Sequence, residues 1–356
     1  MNACRSATFA LPGDIDTLTG GYLYDRRLVE GLRAQGRRID ILSLPNSMPF
    51  PGPADMATAL RQLIALPPDR PVIIDGLAFG ALEPEGVAAV TAPIVAMIHH
   101  PLAQESALPA DLANHLWRTE KDNLALARAV MVPSPHTRDM LVERYDVPAG
   151  RITVVRPGTD RPVSASPSLP INPPLILSVG ILHPRKGHDI LITALSRLCG
   201  LDWQAVIVGN PWDHAHVEAL RLQLASAGLG SRLRLAGRVP HDALQTLYRQ
   251  ASIFALATRY EGYGIVFDEA LSHGLPIVST LAGAVPETVP HEAGLLVQPD
   301  DPQAFADALR RLLSHPQERF TLAKAAAQAG RVLPAWDETA RLAGAVLDNL
   351  YAPALQ

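Results

Sequence analysis

A chain of 356 residues, 48% hydrophobic and only 19% charged, is too long for one compact core and apolar enough for two. Its net charge of −4 lacks the basic balance that a nucleic-acid partner asks for, so none is expected. No apolar run reaches the roughly 18–20 residues of a membrane-crossing helix, and the apolar part of the first residues is short for a secretory signal, so a soluble cytoplasmic protein is expected.

Short apolar runs alternate with amphipathic stretches along both halves, the pattern of parallel sheets covered by helices. In the first half, strands are predicted at Ala7–Leu11, Arg38–Leu42, Val72–Asp75, Ile94–His99 and Ala129–Val132. Helices are predicted at Gly21–Gln35, Ala110–Ala127 and His136–Tyr145. The stretch Arg161–Pro174, rich in Pro and Ser, cannot sustain a helix and reads as a semi-rigid linker. Beyond it, strands fit Leu175–Val179, Gln204–Val208, Arg232–Leu235, Ile253–Ala257, Pro276–Ser279 and Leu295–Val297. Helices fit Asp189–Cys199, His214–Ala227, Asp242–Gln250, Ile265–His273 and Gln303–Ser314. A last helix over Trp336–Tyr351 carries Trp336, Ala340, Ala343, Leu347 and Leu350 on one face. The expected domains are therefore residues 1–165 and 166–335, with a final helix over 336–356. Cys4 and Cys199 fall in different halves and suggest reduced thiols rather than a disulfide framework.

The most informative stretch is Glu261–Val297. It places Glu261 and Glu269, with seven residues between them, around a Gly262-Tyr263-Gly264 turn that opens a helix at Ile265. The glycines admit a ligand to backbone amides, and the start of the helix favours an anion. Glu269 follows about two helical turns later, so the two carboxylates are offered to different parts of one ligand. A phosphate, a ribose and a sugar would suit such a set.

Four other places fit. Gly20-Gly21 follow the first strand and precede a helix; a tight turn is the plain alternative. Gly180-Ile181 follow the first strand of the second half and lead to Arg185-Lys186-Gly187. The spacing is not that of a Walker P-loop, yet the basic pair suits a diphosphate, a solvated pair being the alternative. His99-His100-Pro101 closes a strand whose end faces the ligand side of an open α/β sheet. Ala282-Gly283-Ala284-Val285-Pro286-Glu287 again offers small residues and a carboxylate after a strand. No Asp-x-Asp pair of the kind that holds a divalent ion is read. His183/His188 and His214/His216 lack zinc spacing and are expected as surface or supporting residues. No metal and no cofactor are expected.

Together these residues resemble the retaining nucleotide-sugar glycosyltransferases of the GT-B fold, glycosyltransferase family 4. The resemblance is strongest over Val179–Asp301. It extends weakly over the first half through Gly20-Gly21, His99, Val132-Pro133-Ser134 and Pro157-Gly158-Thr159-Asp160. It implies two Rossmann-like domains facing a central cleft, with the last helix returning to the first domain. Lys186 would contact the donor diphosphate, Glu261 the transferred sugar or its phosphate neighbourhood, and Glu269 the ribose hydroxyls. Amides at Gly262, Tyr263, Gly264 and Ile265, and at Gly20 and Gly21, would cover sugar and phosphates, with His99 on the acceptor side.

The family often has an arginine where Ile181 stands, and Arg185 is the residue placed to compensate. The implied reaction is metal-independent transfer from a nucleotide sugar to a hydroxyl on a saccharide, lipid-linked glycan or small molecule. A non-catalytic nucleotide-sugar binder and an epimerase or hydrolase on the same fold are the alternatives. Arg26, Arg27, Arg33, Arg37 and Arg38 near the first helix suit either a solvated face or contact with anionic lipid.

Overall fold

The computed structural model describes residues 6–17, 19–106, 108–160 and 170–351. Cys4 and most of the expected linker Arg161–Pro174 lie outside the described residues. The chain divides into two units, residues 1–158 with 334–356, and residues 159–333.

The first unit holds a six-stranded parallel sheet: β1 (Ser6–Pro12), β2 (Arg38–Leu44), β3 (Val72–Asp75), β4 (Ile94–Met97), β5 (Ala129–Val132) and β6 (Ile152–Val154). Its order is β2-β1-β3-β4-β5-β6. Phe9, Ile73, Val95 and Met131 are fully buried, as expected of strands covered on both faces. Trp336–Tyr351 packs along the first helix, Gly20–Ala34. That fit needs two glycines: a side chain at Gly31 would strike Ala340, and one at Gly158 would strike the backbone at Trp336. An ion pair between Arg37 and Asp348 at 2.8 Å and a bond from Thr339 Oγ1 to the Arg156 carbonyl tie the helix down.

The second unit repeats the plan with β7 (Leu175–Val179), β8 (Gln204–Val208), β9 (Leu233–Gly237), β10 (Ile253–Ala255), β11 (Ile277–Thr280) and β12 (Gly294–Val297). The order β12-β11-β10-β7-β8-β9 is the doubly wound arrangement of a dinucleotide-binding sheet. Alternate residues of β7 enter opposite cores: Ile176 joins Leu191, Phe305 and Leu309, while Leu175, Leu177 and Val179 join Phe254 and Phe267.

The two six-stranded parallel sheets and their helices define the α/β, GT-B class. Several elements escape the sequence reading, among them short helices at Gly76–Phe79, Pro84–Ala88 and Val285–Thr288. The strand Ile152–Val154 is too short to show a period and forms by pairing with β5. The helix Pro53–Ile64 starts at a proline at N1. Pro316–Arg331 buries fully only Ala326, so it carries no apolar stripe to read. The fourth strand also stops at Met97, which places His99 in the segment after it. Among the described residues no helix is long and apolar enough to cross a membrane.

Candidate functional site

The second sheet reverses its winding between β7 and β10, with β8 and β9 on one side and β11 and β12 on the other. In open α/β sheets that reversal leaves a ligand crevice at the carboxyl ends of the strands. The segments leaving these two strands carry Arg185 and Lys186 after β7 and Glu261 after β10. They meet there: Lys186 Nζ lies 2.6 Å from Glu261 Oε1, and Arg185 Nη1 lies 3.6 Å from Oε2. Thr258 Oγ1 is 3.0 Å from Oε1, and Arg185 Nη1 donates to the Tyr260 carbonyl at 3.0 Å. Glu261 is 4% exposed. Burial opposes its charge, but Lys186 and then Arg185 hold the carboxyl below the usual range.

Glycines let the backbone crowd this centre. Gly187 has φ 62° and passes against the Ala257 carbonyl, where a Cβ would collide. Gly283, φ 56°, does the same against the Glu261 backbone, and Ala284 N donates to the Glu261 carbonyl at 2.8 Å. This explains the Ala282–Glu287 motif as a buttress, with Glu287 itself exposed. Gly264, φ 90°, begins the helix Ile265–Ser272, which no side chain caps. Such a helix start, beside two cations, is suited to a phosphate. Tyr263 is turned inward and donates to Asp268 at 2.6 Å, while Thr288 holds its carbonyl at 2.8 Å. The side chain of Tyr263 thus fixes the turn.

Glu269 Oε2 accepts a 2.7 Å hydrogen bond from Tyr248, whose ring stacks on His273 at 5.0 Å. Burial pushes the Glu269 carboxyl up. Ile181 is half-buried beside this centre. His183 and His188, expected at the surface or in support, are both buried supports. His183 Nδ1 accepts from the Arg185 amide at 3.1 Å, capping the turn that carries Lys186. His188 Nε2 donates to the carbonyls of Gly180 and Ile181, 3.3 Å each, pinning the loop after β7. Burial pushes His188 down to about 4, so it is neutral and its donor nitrogen is Nε2.

The first sheet reverses its winding between β1 and β3. After β1 come Gly20 and Gly21, after β3 ends Asp75, and after β4 comes His99. His99 Nε2 is 2.9 Å from Asp25 Oδ1 and 3.5 Å from Asp75 Oδ2. Both aspartates are buried. Burial opposes charge on the imidazole, yet Asp25 and then Asp75 lift it to about 9. Burial, with Asp25 beside it, raises Asp75 to about 7. A Cβ on Gly20 would meet nothing within 4 Å, and one on Gly21 would meet the His99 ring at 3.5 Å, ordinary contact. Packing within this unit therefore does not demand glycine at either place.

Asp25, Asp75, Thr258 and Tyr248 were not singled out in the sequence. Asp75 ends a strand on the ligand side, a signal of the same kind that picked out His99. Asp25 sits five residues into the helix after Gly20, where nothing in the sequence separates it from a surface acid. Other motifs have plain explanations. Ser134 caps the helix Pro135–Tyr145 through Thr137 N at 3.1 Å. An Asp-x-Asp spacing does occur at Asp14 and Asp16, but both are exposed; Asp14 accepts from the Asp16 amide and Asp16 pairs with Arg26. The arginine cluster is largely taken up within the protein, Arg27 by Glu30, Arg33 by the Ile39 carbonyl and Arg37 by Asp348. A cavity of about 630 Å³ lined by Leu175, Val206, Leu233 and Arg232 lies toward the strand starts, away from these residues.

Fold and motif positions therefore define a GT-B protein with a cluster of charged groups at the winding reversal of each sheet. Comparison with known proteins gives the family. Residues 23–161 match the family described as Glycosyltransferase Family 4, and residues 162–329 match Glycosyl transferases group 1. Spanned by these two adjoining matches, the chain belongs to the family 4, group 1 glycosyltransferases.

It is 28% identical over 283 residues to a D-inositol 3-phosphate glycosyltransferase of Corynebacterium glutamicum, covering 74% of this chain and 66% of that protein. The same enzyme from Xylanimonas cellulosilytica is 31% identical over 251 residues, 66% of this chain and 59% of that one. The chain thus matches less than two thirds of the length of these curated relatives. Among solved structures, sucrose-phosphate synthase from Thermosynechococcus elongatus superposes with a TM-score of 0.77 at 23% identity, covering 97% of this chain and 99% of that one. Anabaena HepE in complex with UDP-glucose gives 0.72 at 17% identity, covering 97% and 99%. At these identities the likeness is one of fold.

Proposed function

We propose that the protein is a retaining, metal-independent glycosyltransferase that moves a sugar from a nucleotide-diphosphate sugar to a hydroxyl acceptor. The observation that carries this reading is the placement of Lys186, Arg185 and Glu261 at the winding reversal of the second sheet, beside the uncapped helix start at Gly264. Departure of a nucleoside diphosphate needs positive charge fixed in advance where negative charge grows. Lys186 supplies it as an ammonium with three N–H donors, so it can hold Glu261 and a phosphate oxygen together. The amides at the start of Ile265–Ser272 add to it. Glu269 is free to accept from a ribose hydroxyl at Oε1 while Tyr248 holds Oε2. Glu261 supplies the carboxylate nearest the transferred sugar, and its depressed pKa keeps it charged while positive character develops there. His99 serves the acceptor side on the first unit.

Relatives named for transfer to inositol 3-phosphate and a neighbour holding UDP-glucose put UDP-sugars and cyclitol phosphates first in a substrate panel. UDP-, GDP- and ADP-sugars are screened by thermal shift, since a ligand of the native state raises its stability. Turnover is then followed with and without EDTA, and the product anomer is read by NMR. Transfer that survives EDTA with the donor's anomeric configuration kept is the expected result. Restoration of activity by a divalent ion alone contradicts the metal-free reading. Nucleotide release at full rate without an acceptor favours a hydrolase.

A further inference from the structure

The N-terminal cluster raises a question that membership of the family does not answer: what His99 does chemically. Its Nε2 faces two carboxyl groups, Asp25 Oδ1 at 2.9 Å and Asp75 Oδ2 at 3.5 Å, and where these are ionised they are acceptors alone, so Nε2 carries the proton. The character of the ring toward a ligand therefore rests on the opposite nitrogen, Nδ1. That atom makes no hydrogen bond among the described residues, and the side chain is 19% exposed. A neutral ring offers Nδ1 as an acceptor and a possible general base. A charged ring offers Nδ1–H as a donor and cannot take a proton.

Burial opposes charge on the ring, and the two carboxyl groups packed on it, Asp25 and Asp75, favour the charged form. Asp25 comes from the helix Gly20–Ala34 and Asp75 from the end of β3, where its Oδ1 also accepts from the Leu77 amide at 3.0 Å. Tyr24 meets the ring edge-on at 5.2 Å, and its hydroxyl is committed to the Val155 carbonyl at 2.7 Å. The Tyr22 hydroxyl donates to the Pro12 carbonyl at 2.8 Å, and burial with the nearby Asp75 and Asp25 charges keeps it protonated. Gly21 closes the Cδ2 edge without adding a polar atom. On the ring's own segment, His100 is 3.4 Å from Glu105. No cation from these neighbours faces His99.

We propose that Asp25 and Asp75 are positioning residues that fix His99 as an imidazolium, so that it acts on the bound sugar or acceptor as a rigid cationic donor through Nδ1–H and not as a general base. This rests on the glycosyltransferase reading above for its substrate, but not for its charge state. The rise of His99 to about 9 agrees with it, and the ionisation of Asp75 near 7 strengthens the hold as pH rises toward that point.

The test reads charge and rate separately. In the whole protein, the imidazole nitrogens of His99 are followed by NMR from pH 5 to 10, assigned with His99→Ala. The expected titration lies well above 8, with the Nε2 proton present throughout. Asp25→Asn, which keeps the shape and an acceptor oxygen, lowers it by about one unit or more. Asp75→Asn, which can still cap the helix after β3, lowers it less. Titration of the wild-type ring near 6.5, or no shift in Asp25→Asn, overturns the proposal. So does stoichiometric zinc that displaces the Nε2 proton at neutral pH, which would assign the three side chains to a metal.

In the rate arm, kcat is level between pH 6 and 8 and falls as pH rises through about 9. Asp25→Asn lowers kcat roughly ten- to a hundredfold, the worth of a charge-assisted hydrogen bond. A kcat that climbs through pH 6.5 instead shows a general base and overturns the proposal. If no donor is turned over by the wild type, the function reading fails while the titration still decides the charge of His99.

Discussion

The two sheets place opposite charge patterns at equivalent points. At the winding reversal of the first, one cation, His99, sits between two carboxylates, Asp25 and Asp75. At that of the second, one carboxylate, Glu261, sits between two cations, Lys186 and Arg185. The same architectural position thus serves contrary electrostatics, because strand ends bring loops together without dictating what the loops carry. The C-terminal centre has an excess of positive charge and depends on lysine and arginine, which stay charged through neutral pH. It suits a diphosphate. The N-terminal centre has an excess of negative charge and depends on an imidazole, so it alone is sensitive to mild alkali. It suits hydroxyls.

The largest effect is expected where the pattern is broken at its centre. Glu261→Gln keeps the shape and the Thr258 contact but leaves the buried Arg185 and the half-buried Lys186 without their carboxylate. Transfer should fall by about 10²–10³, the scale of losing one preorganised electrostatic group, while binding of the anionic donor is retained. Single-turnover rates with donor titration check this, and a normal rate in the folded variant removes Glu261 from the chemistry.

Lys186→Ala removes one cation instead, at a position where Ile181 supplies none. A loss of about 2–4 kcal/mol in transition-state stabilisation is expected in kcat/KM. An unchanged kcat/KM would show the lysine to be only a partner for Glu261. Ile181→Arg should raise donor affinity if the contrast between the two centres lies in their charge.

pH sharpens the comparison further, with opposite signs in the two units. His99, raised to about 9, contributes stability that is full below its unfolded value near 6.5 and is lost as pH rises through 9. His188, lowered to about 4, contributes stability that is present above 6.5 and is lost as pH falls toward 4. Glu261, held low, acts in the same direction as His188, its contribution fading as acid protonates it. Hydrogen exchange should therefore show the second unit loosening first at pH 4.5 and the first unit at pH 9.5. Effects of about 1–3 kcal/mol are expected. Uniform loosening at both extremes would contradict the contrast.

The smallest effect on transfer concerns Glu120, fully buried in the first unit. Its Oε2 accepts from the Leu102 amide at 3.1 Å, and burial pushes it up to about 8. Ionising it costs stability progressively as pH rises from its unfolded value near 4.5 through 8. Glu120→Gln should therefore gain stability at pH 9, on the order of a few kcal/mol, and nothing at pH 5. Equal thermal midpoints at both pH values would place the ionisation outside the folded range.

Much of the fold was legible because its signals are local. Leu175–Val179 and Val72–Asp75 are continuous apolar runs of strand length, and the glycine turn before Ile265 announces a helix start. Pro316–Arg331 was not legible, since a helix that buries little has no stripe. Gly158 read as part of a turn, and only packing shows that the last helix requires it.

The candidate site divides in the same way. The sequence by itself determined two α/β halves, the Gly262–Ile265 turn with Glu261 and Glu269 about it, and a basic pair after β7, because backbone geometry and residue chemistry act over a few positions. Only the tertiary structure decided that Lys186 and Glu261, seventy-five residues apart, form one ion pair, and that Asp25 and Asp75 flank His99. Those unions depend on strand order. The order is set by which apolar faces pack together across the whole sheet, so no local stretch of sequence contains it.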